Sequence, residues 1–153
     1  MELQIDAFTS NHKDEIPKKY TCDGEEQSPG LQWGDVPSNV KSFALVMEAL
    51  DVPHRSNPLV LWVVYNIPGD VRKIATNTLP KEALVGTNDL GKIGYSGPCP
   101  KPGSKHERYH IVLFALDIKL DLVPGATEYD LTRAMKGHIL DTGEEVAVHE
   151  RCG

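Results

Sequence analysis

Only three cysteines, Cys22, Cys99 and Cys152, occur in the chain's 153 residues. They are too few for a disulfide scaffold and too widely spaced for the close Cys pairs that build zinc sites. The expectation is a cytoplasmic, largely reduced protein, with one disulfide possible and an odd thiol left over. Positive charge is also short. Sixteen Lys and Arg stand against 22 Asp and Glu, a net charge of −6, which opposes the phosphate neutralisation that nucleic-acid binding needs. The strongest apolar runs, 43–50 and 59–65, fall far below the roughly 20 residues of a membrane-spanning helix. The N-terminus Met1-Glu2-Leu3-Gln4-Ile5-Asp6 lacks a basic region followed by an apolar stretch, so no secretory signal is expected. Nor is there an HExxH pair among the six histidines, a GxSxG elbow, a P-loop or a dinucleotide fingerprint. Neither a metal nor a cofactor is expected.

Glycine (13) and proline (11) are plentiful by contrast, and they are scattered, which favours many short elements over long helices. The length suits one domain, residues 1–153. Leu3, Ile5 and Ala7 alternate with polar neighbours as in an outer strand. Residues 16–34 predict an ordered loop pinned by Tyr20, Leu31 and Trp33. The runs Phe43-Ala44-Leu45-Val46-Met47 and Val60-Leu61-Trp62-Val63-Val64-Tyr65 predict central strands. Residues 70–105 form a long segment of low regularity, a length that in a compact domain points to function or partial structure. A third strand is predicted from Tyr109 to Leu116, apolar on both faces. Thr127 and Asp130 have capping-box spacing, Leu131, Ala134, Met135 and His138 recur at helical intervals, and Gly137 is the terminator. A last strand is predicted at 145–149.

Two places have the residue types of a binding site. The corner Gly97-Pro98-Cys99-Pro100 feeds a strand through the polar cluster His106-Glu107-Arg108-Tyr109, and functional groups concentrate on loops held by rigid scaffolds. Asp51 reads equally as a turn residue before Pro53 or as a pocket acid. Cys99 as the nucleophile of a small hydrolase is the enzymatic alternative, and it requires a thiolate with a base at hand.

Several ordered motifs together carry a resemblance over essentially the whole chain. They include Tyr20-Thr21-Cys22-Asp23-Gly24, Ser28-Pro29, Trp62 with Tyr65-Asn66-Ile67-Pro68, Asn88-Asp89, Gly97-Pro98-Cys99-Pro100, Arg108-Tyr109 and Gly137-His138-Ile139-Leu140. The chain resembles the phosphatidylethanolamine-binding protein family, in its small prokaryotic branch often labelled Raf kinase inhibitor-like. The resemblance implies a mainly β fold of two antiparallel sheets with Greek-key topology and a few short helices. It also implies a non-enzymatic binding or regulatory protein with a small anion pocket for a phosphate or phosphoethanolamine-like head group. Family members are also described as kinase regulators and protease inhibitors, so a protease or kinase partner engaged through an exposed surface is the alternative. Either a monomer or a homodimer is compatible with the sequence.

The pocket motif itself is altered. The family's acid-proline-acid stretch reads Ala49-Leu50-Asp51-Val52-Pro53 here, with Glu48 one position earlier. Leu61 stands where the family has a histidine before Trp62, and Glu107 stands where it has one before Arg108-Tyr109, His106 being displaced by one residue. Neighbours on a strand point to opposite faces, so His106 reaches the pocket only through a bulge or a loop conformation, and Glu107 takes its direction. The expected ligand-binding residues are Asp51, Gly97, Pro98 and Tyr109, with Glu48 or His106. Ala49, Leu61 and Glu107 are the altered positions, and a carboxylate in place of imidazole weakens attraction for phosphate.

Overall fold

The apolar runs become the middle of a five-stranded antiparallel sheet. A computed structural model of the chain describes residues 3–6, 15–52, 55–100 and 107–149. Its strands are β1 (Gln4–Asp6), β2 (Leu31–Gly34), β3 (Ser42–Ala49), β4 (Leu59–Pro68), β5 (Lys73–Ile74), β6 (Leu84–Val85), β7 (Glu107–Leu116) and β8 (Ile139–His149), with one α-helix, α1 (Glu128–Met135), before β8. The larger sheet runs β6-β4-β3-β7-β8 and the smaller β1-β2-β5, with antiparallel pairing in both. The fold is thus mainly β, with two antiparallel sheets and, among the described residues, a single short α-helix.

Side-chain alternation sorts β3 and β7 into two layers. Phe43, Leu45, Met47 and Ala49 of β3, with Tyr109, Ile111, Leu113 and Ala115 of β7, face the smaller sheet and pack on Leu31, Trp33 and Ile74. Ala44 and Val46 face the other way, under Leu131 and Met135 of α1. Each large side chain buried in this way contributes about 1.5–3 kcal/mol. The helix begins as its sequence predicts: Thr127 Oγ1 accepts from the Asp130 amide (3.2 Å) and Asp130 Oδ2 from the Thr127 amide (3.1 Å). It stops at Met135, short of His138, because Gly137 turns the backbone into the left-handed region (φ 84°).

Several expectations were too coarse. The segment 16–34 contains a 3₁₀ turn at Lys18–Tyr20 and then β2, residues 70–105 include β5 and β6, and the last strand starts at Ile139, not at 145. Two-residue strands carry no periodicity to read. No helix among the described residues is long and apolar enough to cross a membrane.

The register of β4 slips twice against β3, between Phe43 and Leu45 and again between Met47 and Glu48. At the first slip Asn66 adopts φ 54°, and its amide exchanges two bonds with Leu120, Nδ2 to O at 2.9 Å and N to Oδ1 at 2.8 Å. At the second, Met47 pairs with Trp62 but Glu48 with Val60, leaving Leu61 as the extra residue. This bulge turns both Leu61 and Trp62 toward the inner layer.

Candidate functional site

The second bulge builds the site. It takes Leu61 out of the β3–β4 register, and a later loop supplies further partners for the backbone of Val60 and Leu61. Asp89 Oδ2 accepts from the Val60 amide (2.8 Å), the Asp89 amide donates to the Val60 carbonyl (2.8 Å), and the Ser96 amide and Asn88 Nδ2 both donate to the Leu61 carbonyl (3.1 and 3.0 Å). Asn88 is the hub of the loop. Its Nδ2 also donates to Ser96 Oγ (2.9 Å), and its Oδ1 accepts from the amides of Leu90 (2.9 Å) and Lys92 (3.1 Å). Asn88→Ala leaves several buried groups without partners and is expected to cost about 2 kcal/mol in urea denaturation. An unchanged midpoint would remove Asn88 from this role.

The corner at 97–100 is fastened to the turn at 20–24. Tyr95 Oη donates to the Tyr20 carbonyl (2.6 Å), the Gly97 amide to Glu26 Oε2 (2.9 Å) and the Cys22 amide to the Pro98 carbonyl (3.1 Å). The approach is so close that a Cβ on Gly97 would lie 2.4 Å from the Tyr20 carbonyl oxygen, which is why glycine is required there. Cys22 and Cys99 are joined in a disulfide, their Cα atoms 5.3 Å apart. This is the single disulfide that the sequence left possible in a protein expected to be largely reduced, and Cys99, whose sulfur is already bonded, is not a thiolate nucleophile. The hydrolase alternative therefore falls.

Between this corner and the ends of β3, β4 and β7 lies a cleft of about 420 Å³. Ala49, Val52, Leu59, Leu61, Leu90 and Pro100 make its apolar walls, Gly97 and Cys99 line the corner side, and Glu107 and Tyr109 bring the polar groups. Glu107 and Tyr109 are two apart on β7 and share its inner face. Glu107 is only 9% exposed, and its Oε2 is buried without a hydrogen-bond partner. Burial first, and then the charge of nearby Asp51, push its carboxyl above the ordinary glutamate range, with His149 pulling weakly the other way. Burial also raises the Tyr109 hydroxyl, as do Glu107 and Asp51, so it stays protonated.

Of the expected ligand-binding residues, Gly97 and Tyr109 line the cleft, as do all three altered positions, Ala49, Leu61 and Glu107. Pro98 lies beside it, with its carbonyl held by Cys22. Asp51 is not among the lining residues. Its carboxylate accepts from the Arg108 amide (2.8 Å), Nε (2.9 Å) and Nη2 (2.8 Å), and the Arg108 guanidinium holds it below its usual value. It clips the exit of β3 to the start of β7. Glu48 faces the opposite side of the sheet, where its Oε1 meets His110 Nδ1 at 3.1 Å while His110 Nε2 meets Glu144 Oε2 at 2.9 Å. It is therefore not a wall of this cleft. His106 lies outside the described residues.

The sequence did not single out Val52, Leu59 and Leu90 as walls, nor His149, whereas Pro100 belongs to the corner it did single out. One signal was present for Leu90, an apolar side chain between Asp89 and Gly91. His149 pairs with Glu107 across β7 and β8. Both of its ring nitrogens are buried without a hydrogen bond, and Nε2 lies 3.5 Å from Asp23 Oδ2, an ion-pair distance without hydrogen-bond geometry. No group of His, Cys, Asp and Glu among the described residues has the arrangement of a metal site.

Comparison with known proteins places this geometry. The family model described as phosphatidylethanolamine-binding protein matches residues 6–150. A protein of Methanothermobacter thermautotrophicus named UPF0098 protein is 42% identical, with 99% of each chain covered. Among solved structures, a phosphatidylethanolamine-binding protein homologue of Chlamydia trachomatis superposes with a TM-score of 0.89 at 35% identity, covering 98% of both chains. The Escherichia coli protein YBCL, described as a member of the mammalian family, gives 0.87 at 26% identity, covering 98% of this chain and 99% of its own.

Proposed function

The chain belongs to the phosphatidylethanolamine-binding protein family, and we propose that within this non-enzymatic binding fold it is a receptor for a compact, largely apolar small molecule. The observation that supports this is the cleft itself. Its volume lies in the range of ligand sites, its walls are aliphatic, and a few polar groups converge at one end. Phosphate suits it poorly. No Lys, Arg or His is among the described lining residues, and a phosphate would meet Glu107 at close range in a low-dielectric setting.

The test is a titration followed by amide NMR. Hexan-1-ol is expected to shift the Gly97 and Tyr109 amides saturably, while inorganic phosphate leaves them in place. Val52→Trp, at a half-buried wall position, fills the space and is expected to lower hexan-1-ol affinity at least tenfold. Saturable phosphate binding at these amides, or an affinity indifferent to Val52→Trp, would overturn the assignment. A second reading has the protein inhibit a protease or regulate a kinase through its surface. It is favoured by Leu90 and Ile93, both more than half exposed on the loop beside the cleft. Inhibition that survives Val52→Trp but not Ile93→Ser would support it.

A further inference from the structure

The unpaired carboxyl in the cleft points to a particular ligand charge. We propose, building on the cleft as ligand site, that its occupant is a primary alkylammonium ion, the ammonium against Glu107 and the alkyl chain along Leu59, Leu61 and Leu90.

Glu107 Oε2 is buried and has no donor. Among the described residues none donates to it. Arg108, the adjacent cation, points from the other side of β7 and spends its guanidinium on Asp51. His149, across the ladder, makes no hydrogen bond through either ring nitrogen. A buried acid so placed is costly, since desolvation is not repaid by a partner. A ligand that carries both a positive charge and an N–H donor supplies the missing partner in one group, as a charge-assisted hydrogen bond.

Two features narrow the class. A single orphan oxygen suits a compact ammonium better than a guanidinium, whose planar fork requires both oxygens of a carboxylate. Aliphatic walls beyond the acid call for an alkyl chain and leave a second charge without a partner. That separates the ligand from a phosphorylated head group, whose phosphate has no cation to meet among the described lining residues.

Calorimetry and amide NMR on the whole chain in about 0.15 M salt, where attraction to the exposed acidic surface is screened beyond about 8 Å, compare hexylammonium, hexan-1-ol, phosphoethanolamine and inorganic phosphate. The expected order is hexylammonium at least tenfold tighter than hexan-1-ol, both shifting Gly97 and Tyr109, with phosphoethanolamine weaker than either. Glu107→Gln is expected to abolish the tenfold preference for hexylammonium over hexan-1-ol, whatever its effect on the affinity for either. Equal affinity for hexylammonium and hexan-1-ol in the native chain overturns the ammonium assignment and leaves the cleft reading standing, whatever the stability of the variant. Preference for phosphate or phosphoethanolamine overturns it as well. If no probe shifts Gly97 or Tyr109, both readings fail together.

Discussion

Replacing Cys22 and Cys99 with serine is expected to lower the stability of the fold by about 4 kcal/mol and its melting temperature by about 10 °C. The bond joins positions 77 residues apart in sequence. Closing so long a loop removes a large share of the unfolded chain's freedom, and the loss grows with the logarithm of loop length. The disulfide also sits where regular hydrogen bonding is sparse. The turn at 20–24 and the corner at 97–100 belong to no sheet, and they are held together by Tyr95, Glu26 and the Cys22 amide. Loss of the bond should therefore loosen one wall of the cleft and weaken hexan-1-ol binding along with stability. Thermal unfolding of the native chain with and without reductant, beside the double serine variant, checks this. The reduced native chain and the variant should melt together, well below the oxidised chain. Three coincident transitions would mean that the bond contributes nothing to the fold.

What could be read from the sequence divides along physical lines. Of the four long strands, β3, β4 and most of β7 were visible through their apolar runs, and the helix start because Thr127 and Asp130 form a local motif with its own hydrogen bonds. The wall formed by Leu61 depended on a bulge, and a bulge is a mismatch between two strands that neither strand encodes alone. Asp51 and Arg108 lie 57 positions apart. From sequence alone Asp51 looked like a pocket acid or a turn residue, and only the pairing of β3 with β7 shows that its carboxylate is already committed. The same holds for Glu48, which shares an acid's chemistry with Asp51 but sits on the face of β3 shared with Ala44 and Val46. The sequence left one disulfide possible without fixing its partners, because the expectation of a largely reduced protein came from compartment, whereas the Cys22–Cys99 pairing comes from two loops that meet in the fold. Glu107 was legible as a departure at a recognisable position. Its isolation from any donor was not, since a missing partner is a property of the packed environment.

That isolation sets the stability of Glu107→Met against pH. Glu107 Oε2 has no hydrogen-bond partner among the described residues, and a buried charge so placed costs more than an apolar side chain of similar volume, so the variant is expected to be more stable than the native chain at pH 7 by about 3 kcal/mol. The sign of the pH dependence follows from the direction of the shift. Glu107 holds its proton to higher pH in the folded chain than in the unfolded one. Its contribution is therefore most favourable below the ordinary glutamate range and is lost as pH rises through the folded value. The advantage of the methionine variant should be smallest below about pH 4 and grow toward neutrality. His110, raised first by its bond to Glu48 and then by Glu144, also loses its stabilising proton as pH rises through its folded value. Both chains carry His110, so their difference isolates Glu107. Urea denaturation from pH 4 to pH 8 reads it directly. A variant less stable than the native chain at pH 7 would mean that Glu107 has a structural partner and would remove the premise of the ammonium site. A variant that gains stability while losing its preference for hexylammonium would show an acid kept at a cost to the fold because the ligand requires it, the trade expected of a binding residue.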